Sequence, residues 1–411
     1  MIEGLPDYKV LSCKPEARSD GAVLLTIGRG YRPNRVASEF DAFLAIGQDG
    51  NIRWLHQMPF CLMDARLGLK HKTILVVGTD GRAHEIAFDG RVLQSWYTID
   101  KGDQGEPGIK LPTAKLHHTI QEIAPDIYLS LSAERLPLTQ PDDDWTHLMS
   151  DTVLCFDRKG TIRWQWSMAP LLDQNRMCYG SELPYWINQG YPRTRDWTHA
   201  NCAIIDPTDG GILISCRHQD AVVKLTRRGE LAWILGDPGG WREPWSDYLL
   251  KIDGERPPYH QHDLSFLNNG DLMLFDNGAA GAVPPQPEQP LWDRKSYAVS
   301  YKIDADTRRA AETSRYGGAD LPYSHYVSGV CEMPNGNRFI ACTGCIQIDG
   351  SDNGDTSQKG LNGCVFKEVT PEGEVVFHAQ LHDPNSGPDK SWNGFRPEYL
   401  PESVATRLTS T

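Results

Sequence analysis

The sequence is short of several things, and each shortage removes a class of function. No apolar run approaches the roughly 20 residues that a membrane-crossing helix needs. No cluster of Lys and Arg offers a basic face. With 41 basic against 54 acidic side chains the formal net charge is -13, so nucleic acid is not an expected partner. No glycine-rich loop opens a helix, which leaves a nucleotide donor unindicated. The ten cysteines in 411 residues are too sparse for a disulfide framework. The single C-x-x-C, Cys342-Thr-Gly-Cys345, has no second pair at zinc-finger spacing and follows a strand rather than opening a helix, so it reads as structural thiols. Helical periodicity is scarce throughout. The opening Met-Ile-Glu-Gly-Leu-Pro has neither a basic nor an apolar leader segment, and the expectation is a cytoplasmic, reducing location with no membrane partner.

What the chain does have is repetition. A turn followed by an aromatic residue recurs at Asp49-Gly50…Trp54, Asp89-Gly90…Trp96, Lys159-Gly160…Trp164, Arg228-Gly229…Trp233 and Glu372-Gly373…Phe377. Each follows a short run rich in Val, Ile, Leu and Phe, and a weaker copy lies between Tyr297 and Tyr316. A second half-unit also recurs. Strands opened by His118, His199, His262 and His325 each lead through a turn into another apolar run. Asp64 takes the histidine's place in an earlier copy. Four short strands per 40–70 residues, six times over, predict an all-β chain forming one six-bladed β-propeller across 1–411. The blades fall at about 8–58, 60–99, 115–168, 196–236, 260–317 and 323–381, with a C-terminal tail at 382–411. Insertions at 137–146, 171–194 and 238–258 are expected as loops and short helices over one face.

That geometry makes four distant histidines neighbours. The first strand of a propeller blade lines the central channel, so residues opening it meet at the channel mouth. Arg217 lies one strand out and one strand back from His199 and should sit beside it. Four imidazoles and a guanidinium in register are hard to explain by packing, because burying them without partners is costly. Two chemistries fit: a metal centre with an open coordination position, or a metal-free site that holds an anion and uses one histidine as nucleophile. Arg217 favours the second. A guanidinium repels a dication but matches the oxygens of sulfate or phosphate in pairs.

Asp196-Trp-Thr-His-Ala-Asn, Ser215-Cys-Arg-His-Gln, Trp233-Ile-Leu-Gly, Gln261-His262-Asp and Phe275-Asp-Asn-Gly resemble the bacterial arylsulfate sulfotransferases, strongly from about Leu116 to Gly278 and more thinly outside. The resemblance implies a six-bladed propeller that moves a sulfuryl group from one phenol ester to another phenol without phosphoadenosine phosphosulfate or any other cofactor. It also implies that His262 is the sulfurylated residue and that His199, Arg217 and one of His117 and His118 hold the sulfate. His118 shares the register of the other three, and His117 is expected on the opposite face. His325, Asn201 and Asn277 are expected to bind substrate. Secreted members carry a signal peptide and an additional N-terminal β domain, and the reading of the first residues as the start of blade one leads to the expectation of neither here.

The expected course is attack by neutral His262 on sulfur, with His118 as the acid that protonates the departing phenolate, followed by transfer to an acceptor phenol with ping-pong kinetics. Tyr185, Trp186, Trp241 and Trp245 are set either to sandwich the phenols or to pack the loops. Two other readings stay open: a hydrolase or lyase on the same scaffold, with a divalent metal at the histidine cluster, and a non-catalytic binding propeller. A homodimer is compatible with the sequence.

Overall fold

The computed structural model describes residues 5, 7–29, 39–70, 72–100, 102–346, 361–383 and 392–408. Its apolar runs pair into six small antiparallel-dominated sheets. The innermost strands are Trp392–Leu400, Leu62–Leu67, Leu116–Ala124, Ala200–Ile205, His262–Phe266 and Gly329–Glu332, and they touch in succession around a ring. The six-bladed propeller expected from the repeat is therefore the architecture found.

The blade boundaries at the two ends differ from expectation. Tyr8–Cys13, expected in the first blade, pairs instead with Val375–His382 on the outside of the sixth. The stretch 382–411, expected as a tail, contains Trp392–Leu400, which pairs with Ala22–Arg29 as the innermost strand of the first blade. The helix Glu402–Leu408 then packs Val404, Ala405 and Leu408 onto that blade. The physical reason is closure. A ring built of strand ladders is left with two sheet edges where its ends meet, and exchanging strands between the first and last blades covers both. A repeat read in chain order cannot show a strand supplied from the far end. Residues 384–391 and 409–411 of that stretch lie outside the described residues.

The core lies between blades rather than within them. One buried cluster joins Leu129, Leu131 and Val153 of the third blade to Ile214, Val223 and Ile234 of the fourth, with Trp197 between. The recurrent turn glycines explain part of the spacing. Gly50, Gly90 and Gly229 have φ of 80°, 82° and 81°, a region costly for other residues. A Cβ on Gly229 would lie 2.3 Å from Trp166, and one on Gly50 would lie 2.8 Å from Phe377. Each of these two turns thus seats on an aromatic in the outer half of the preceding blade.

Arg396, on the ring-closing strand, occupies the axis and is 0 % exposed. Its Nη1 donates to Asp64 Oδ2 at 2.8 Å and to Thr119 Oγ1 at 2.9 Å, and Nη2 donates to the Asn201 carbonyl at 2.9 Å. Its Nε stands 2.9 Å from Asp263 Oδ1. Asp263 in turn accepts from Val330 N at 3.1 Å. One guanidinium therefore ties five blades together directly and the sixth through Asp263. Asp64, in the histidine register of the repeat, is its main counter-ion.

Candidate active site

Several inner strands begin with a backbone irregularity that re-aims side chains. His118, His199 and Asp263 have φ of 57°, 45° and 55°, and the ladder register shifts between His117 and Ile120, Ala200 and Cys202, and His262 and Leu264. Positive φ at non-glycine residues costs of order 1–3 kcal/mol each and persists where surrounding structure enforces it. The result is convergence. His118 and His199 ring centroids are 5.3 Å apart, His199 and His218 4.6 Å, and His218 and His260 5.4 Å. Phe395, next to the axial Arg396, sits edge-on to both His118 and His262 at 6.4 and 6.0 Å.

The partners of each imidazole fix its tautomer. His262 Nδ1 faces two acceptors, Asn277 Oδ1 at 2.7 Å and the His260 carbonyl at 3.1 Å, so Nδ1 carries the hydrogen. Its Nε2 is therefore the unprotonated nitrogen, and its lone pair accepts from Val327 N at 3.3 Å, a long contact that an attacking geometry must open. The Asn277 amide cannot flip: its Nδ2 donates to Ser324 O, Ser324 Oγ and Val327 O, each at 3.2 Å. Two other imidazoles are backed by carboxylates. His199 Nδ1 donates to Asp196 Oδ2 at 2.6 Å, with Trp186 Nε1 holding the other oxygen at 2.8 Å. His260 Nδ1 donates to Asp220 Oδ1 at 2.8 Å. The parallel pairing of Thr194–Asp196 with His147–Asp157 brings Asp196 into place.

Arg217 is beside His199 as expected, its backbone N donating to the His199 carbonyl at 3.2 Å. The residue is 8 % exposed. Nη1 donates to Nε2 of His218, whose Nδ1 donates to the Asp196 carbonyl at 2.8 Å. Nε has no hydrogen-bond partner, and among the described residues no carboxylate pairs with Arg217. Desolvation lowers its pKa from the usual value, against the pull of Asp196, Tyr323 and Asp220. A buried, un-neutralised cation is an anion site waiting for its anion. The same burial, with the neighbouring cation, holds His262 well below the ordinary imidazole range: desolvation acts first, then Arg217. His118 is lowered likewise by desolvation, then by His117, His199, His262 and Arg396. His325 is pushed down to about 3 by desolvation and then Arg217. These histidines are neutral at pH 7, which suits a nucleophile.

The other expected residues fall differently. His117 does not point to the opposite face, because the bulge at His118 breaks the alternation and brings the two Nδ1 atoms within 2.9 Å. His325 does not open a strand. It lies between Tyr323–Ser324 and Gly329–Glu332, with Nδ1 against Tyr323 Oη at 3.1 Å. Asn201 is fully buried, and its Nδ2 holds the Gln261 carbonyl at 2.8 Å, so it braces the strand before His262. Asn277 acts on His262. Of the four loop aromatics, Tyr185 reaches the site, 5.8 Å from His199 by ring centroid. Trp186 backs Asp196, while Trp241 and Trp245 pack against the core between blades three and four. His218, His260, Asp196 and Asp220 were not singled out from the sequence. The signal available was adjacency: His218 follows Arg217, and His260 precedes His262 by two.

Asp196, His199 and His218 present ligand atoms within 4.8 Å of one another, which is the metal alternative in concrete form. Both nitrogens of His218 are engaged, however, and a metal there would have to displace Arg217 and then tolerate its charge. Cys342 and Cys345 have Sγ atoms 3.7 Å apart, both buried, and all ten cysteines are free. Among the described residues no helix is long and apolar enough to cross a membrane.

The chain is 26% identical over 340 residues to the arylsulfate sulfotransferase AssT of Escherichia coli O6:H1, covering 71% of this chain and 55% of that protein. It is 25% identical over 305 residues to the AssT of Lelliottia amnigena, covering 62% and 50%. It thus spans about half the length of the curated relatives it matches. A solved structure of a Bacteroides caccae protein of unknown function overlays on 92% of the chain and 99% of its own length, with 14% identity and a TM-score of 0.47. The family model described as arylsulfotransferase (ASST) matches residues 19–390, and the chain belongs to that family.

Proposed function

We propose that the protein transfers a sulfuryl group from an aryl sulfate ester to a phenolic acceptor through a sulfohistidine at His262. The observation that carries this reading is the pairing of a neutral imidazole, whose Nδ1 hydrogen is held by Asn277 so that Nε2 is the unprotonated nitrogen, with a buried arginine that has no carboxylate partner among the described residues. Arg217 and His199 hold the sulfuryl oxygens. The Nε2 lone pair of His262, released from its 3.3 Å contact with Val327 N, forms the N–S bond as the S–O bond to the phenolate breaks. Charge on the equatorial oxygens and on the leaving oxygen is what the site must stabilise, by analogy with phosphoryl transfer. An amide behind His262 and a carboxylate behind His199 divide the labour: the amide fixes Nδ1–H and favours the imidazolium less than desolvation and Arg217 disfavour it, so His262 stays nucleophilic, while Asp196 orients His199. The acceptor phenol then attacks sulfur in line and releases His262. Tyr185 is placed to stack on a phenol ring, and the ten free cysteines agree with a reducing compartment.

The test is incubation with 4-nitrophenyl sulfate in the absence of phenol, followed by intact-mass measurement. One added sulfuryl mass mapping to His262, lost in His262→Asn together with turnover, is the expected result. An adduct on another residue, or turnover surviving in His262→Asn, overturns the assignment. The metal-dependent hydrolase reading rests on Asp196, His199 and His218. It predicts stoichiometric metal whose removal abolishes activity.

A further inference from the structure

The site contains a histidine that the reading above leaves unused. His117 is the immediate neighbour of His118, half-buried, and its two nitrogens face different partners. Nδ1 is 2.9 Å from Nδ1 of His118. Nε2 is 3.1 Å from Oδ1 of Asp151, at ion-pair distance but off the line of an aligned hydrogen bond. Asp151 is itself tied into the site's framework: its backbone N donates to the hydroxyl oxygen of Thr198 at 2.9 Å, and its Oδ2 accepts from Ala200 N. A carboxylate, an imidazole and a second imidazole therefore stand in a row, ending at the site.

Two nitrogens 2.9 Å apart share one hydrogen, and the side that holds it decides what His118 offers the substrate. When the hydrogen is on His117, His118 accepts at Nδ1 and carries its own hydrogen on Nε2. When it is on His118, Nε2 is bare. We propose that Asp151, His117 and His118 form a proton relay that makes His118 an acid in the first half-reaction and a base in the second. The proposal rests on the sulfuryl-transfer reading above.

The protons balance in both directions. As the phenolate leaves sulfur, His118 Nε2–H goes to the phenolate oxygen and His117 Nδ1–H moves onto His118 Nδ1. His117 is left neutral, with its remaining hydrogen on Nε2 towards Asp151. When the acceptor phenol attacks, its proton goes to His118 Nε2 and the Nδ1 hydrogen returns to His117. His118 stays neutral at the end of each step, and the proton lent in the first half-reaction is returned to His117, beside Asp151, in the second. That fits its surroundings. Burial first, and then His117, His199, His262 and Arg396, disfavour a charged His118, so an isolated His118 would be a poor store for a proton. His117 acts through His118 and is a positioning residue.

The experiment measures kcat in mixtures of H2O and D2O and the dependence of kcat/KM on the acidity of the leaving phenol. Both use the wild type and His117→Phe with an aryl sulfate whose phenol is weakly acidic. In the wild type two hydrogens in flight bow the isotope plot. In His117→Phe the plot becomes linear, and kcat/KM falls by ~10²-fold for weakly acidic phenols but only a few-fold for 4-nitrophenyl sulfate, the range expected when an acid is lost. A purely structural role for His117 would depress all donors equally. A linear plot in the wild type overturns the relay without needing any variant to fold. If the wild type forms no adduct at His262, the underlying sulfuryl reading fails and the relay with it; an adduct with a linear plot sinks the relay alone.

Discussion

Replacing Arg396 by methionine removes the guanidinium from the axis while keeping most of the stem's volume. Asp64 and Asp263 are then left buried with only Arg66 near them, at 3.7 and 3.6 Å. Removing one partner of a buried ion pair costs about 3–5 kcal/mol, because the other charge stays desolvated. The lost donations to Thr119 and to the Asn201 carbonyl add to this, though not independently. Unfolding entropy of about 2.1 cal/mol/K per residue gives a chain of this length roughly 0.9 kcal/mol/K. The melting temperature should therefore drop by about 4–6 °C. The deficit should also depend on pH in a definite direction. Desolvation already raises the Asp263 pKa, with Arg396 the largest opposing influence. Without Arg396 it rises further, so the variant binds protons in its folded state over a wider range than the wild type. Where the folded state holds more protons, stability falls as pH rises. The gap between variant and wild type should be widest near pH 8 and should narrow on acidification towards pH 5. Differential scanning calorimetry at both pH values measures this. A change below about 1 °C, or a gap that widens in acid, would refute the view that this cation holds the ring together.

Three further outcomes follow from the site and its floor. Arg217→Lys keeps a charge but loses the planar fork, and kcat/KM for aryl sulfates should fall by ~10²-fold or more with little change in melting temperature. Asn277→Asp places a carboxylate behind His262, favours the imidazolium, and should move the acid limb of the kcat/KM profile to higher pH. An unchanged profile would mean that Asn277 does not set the charge state of His262. Glu398 has its pKa raised to about 7, desolvation outweighing Arg66. Its folded value lies above its unfolded one, so it subtracts stability as pH climbs from about 4.5 to 7. Glu398→Gln should flatten that part of the stability curve measured by urea unfolding.

The blades were legible because each strand is short, apolar and closed by a turn whose glycine has a required positive φ. The histidine convergence was legible for the same reason: strands at equal register end at one mouth. The exchange of strands between the chain's two ends was not, since Trp392–Leu400 carries Gly394, an axial arginine and Pro397 where the other inner strands show aliphatic runs. Nor was the direction of His117. Alternation along a strand predicts opposite faces for neighbours, and one positive φ at His118 cancels that rule. Asp196 and Asp220 escaped notice because a carboxylate that orients an imidazole leaves no periodic mark. Arg217, by contrast, was placed beside His199 by counting residues out along one strand and back along the next.

The strand that closes the ring also carries Phe395, which meets both His118 and His262. Ala22 finds its ladder partner in Leu400, about 380 residues on, so a growing polypeptide cannot make this pairing until all six blades have been synthesised. A ribosome-bound chain that has already exposed His118, His199, Arg217 and His262 still lacks the surface against which two of them rest. The cleft is thus assembled once, when Trp392–Leu400 has been made, and chains cut short before Trp392 should accumulate as open rings that chaperones and proteases can see, with no partial reactivity to betray them.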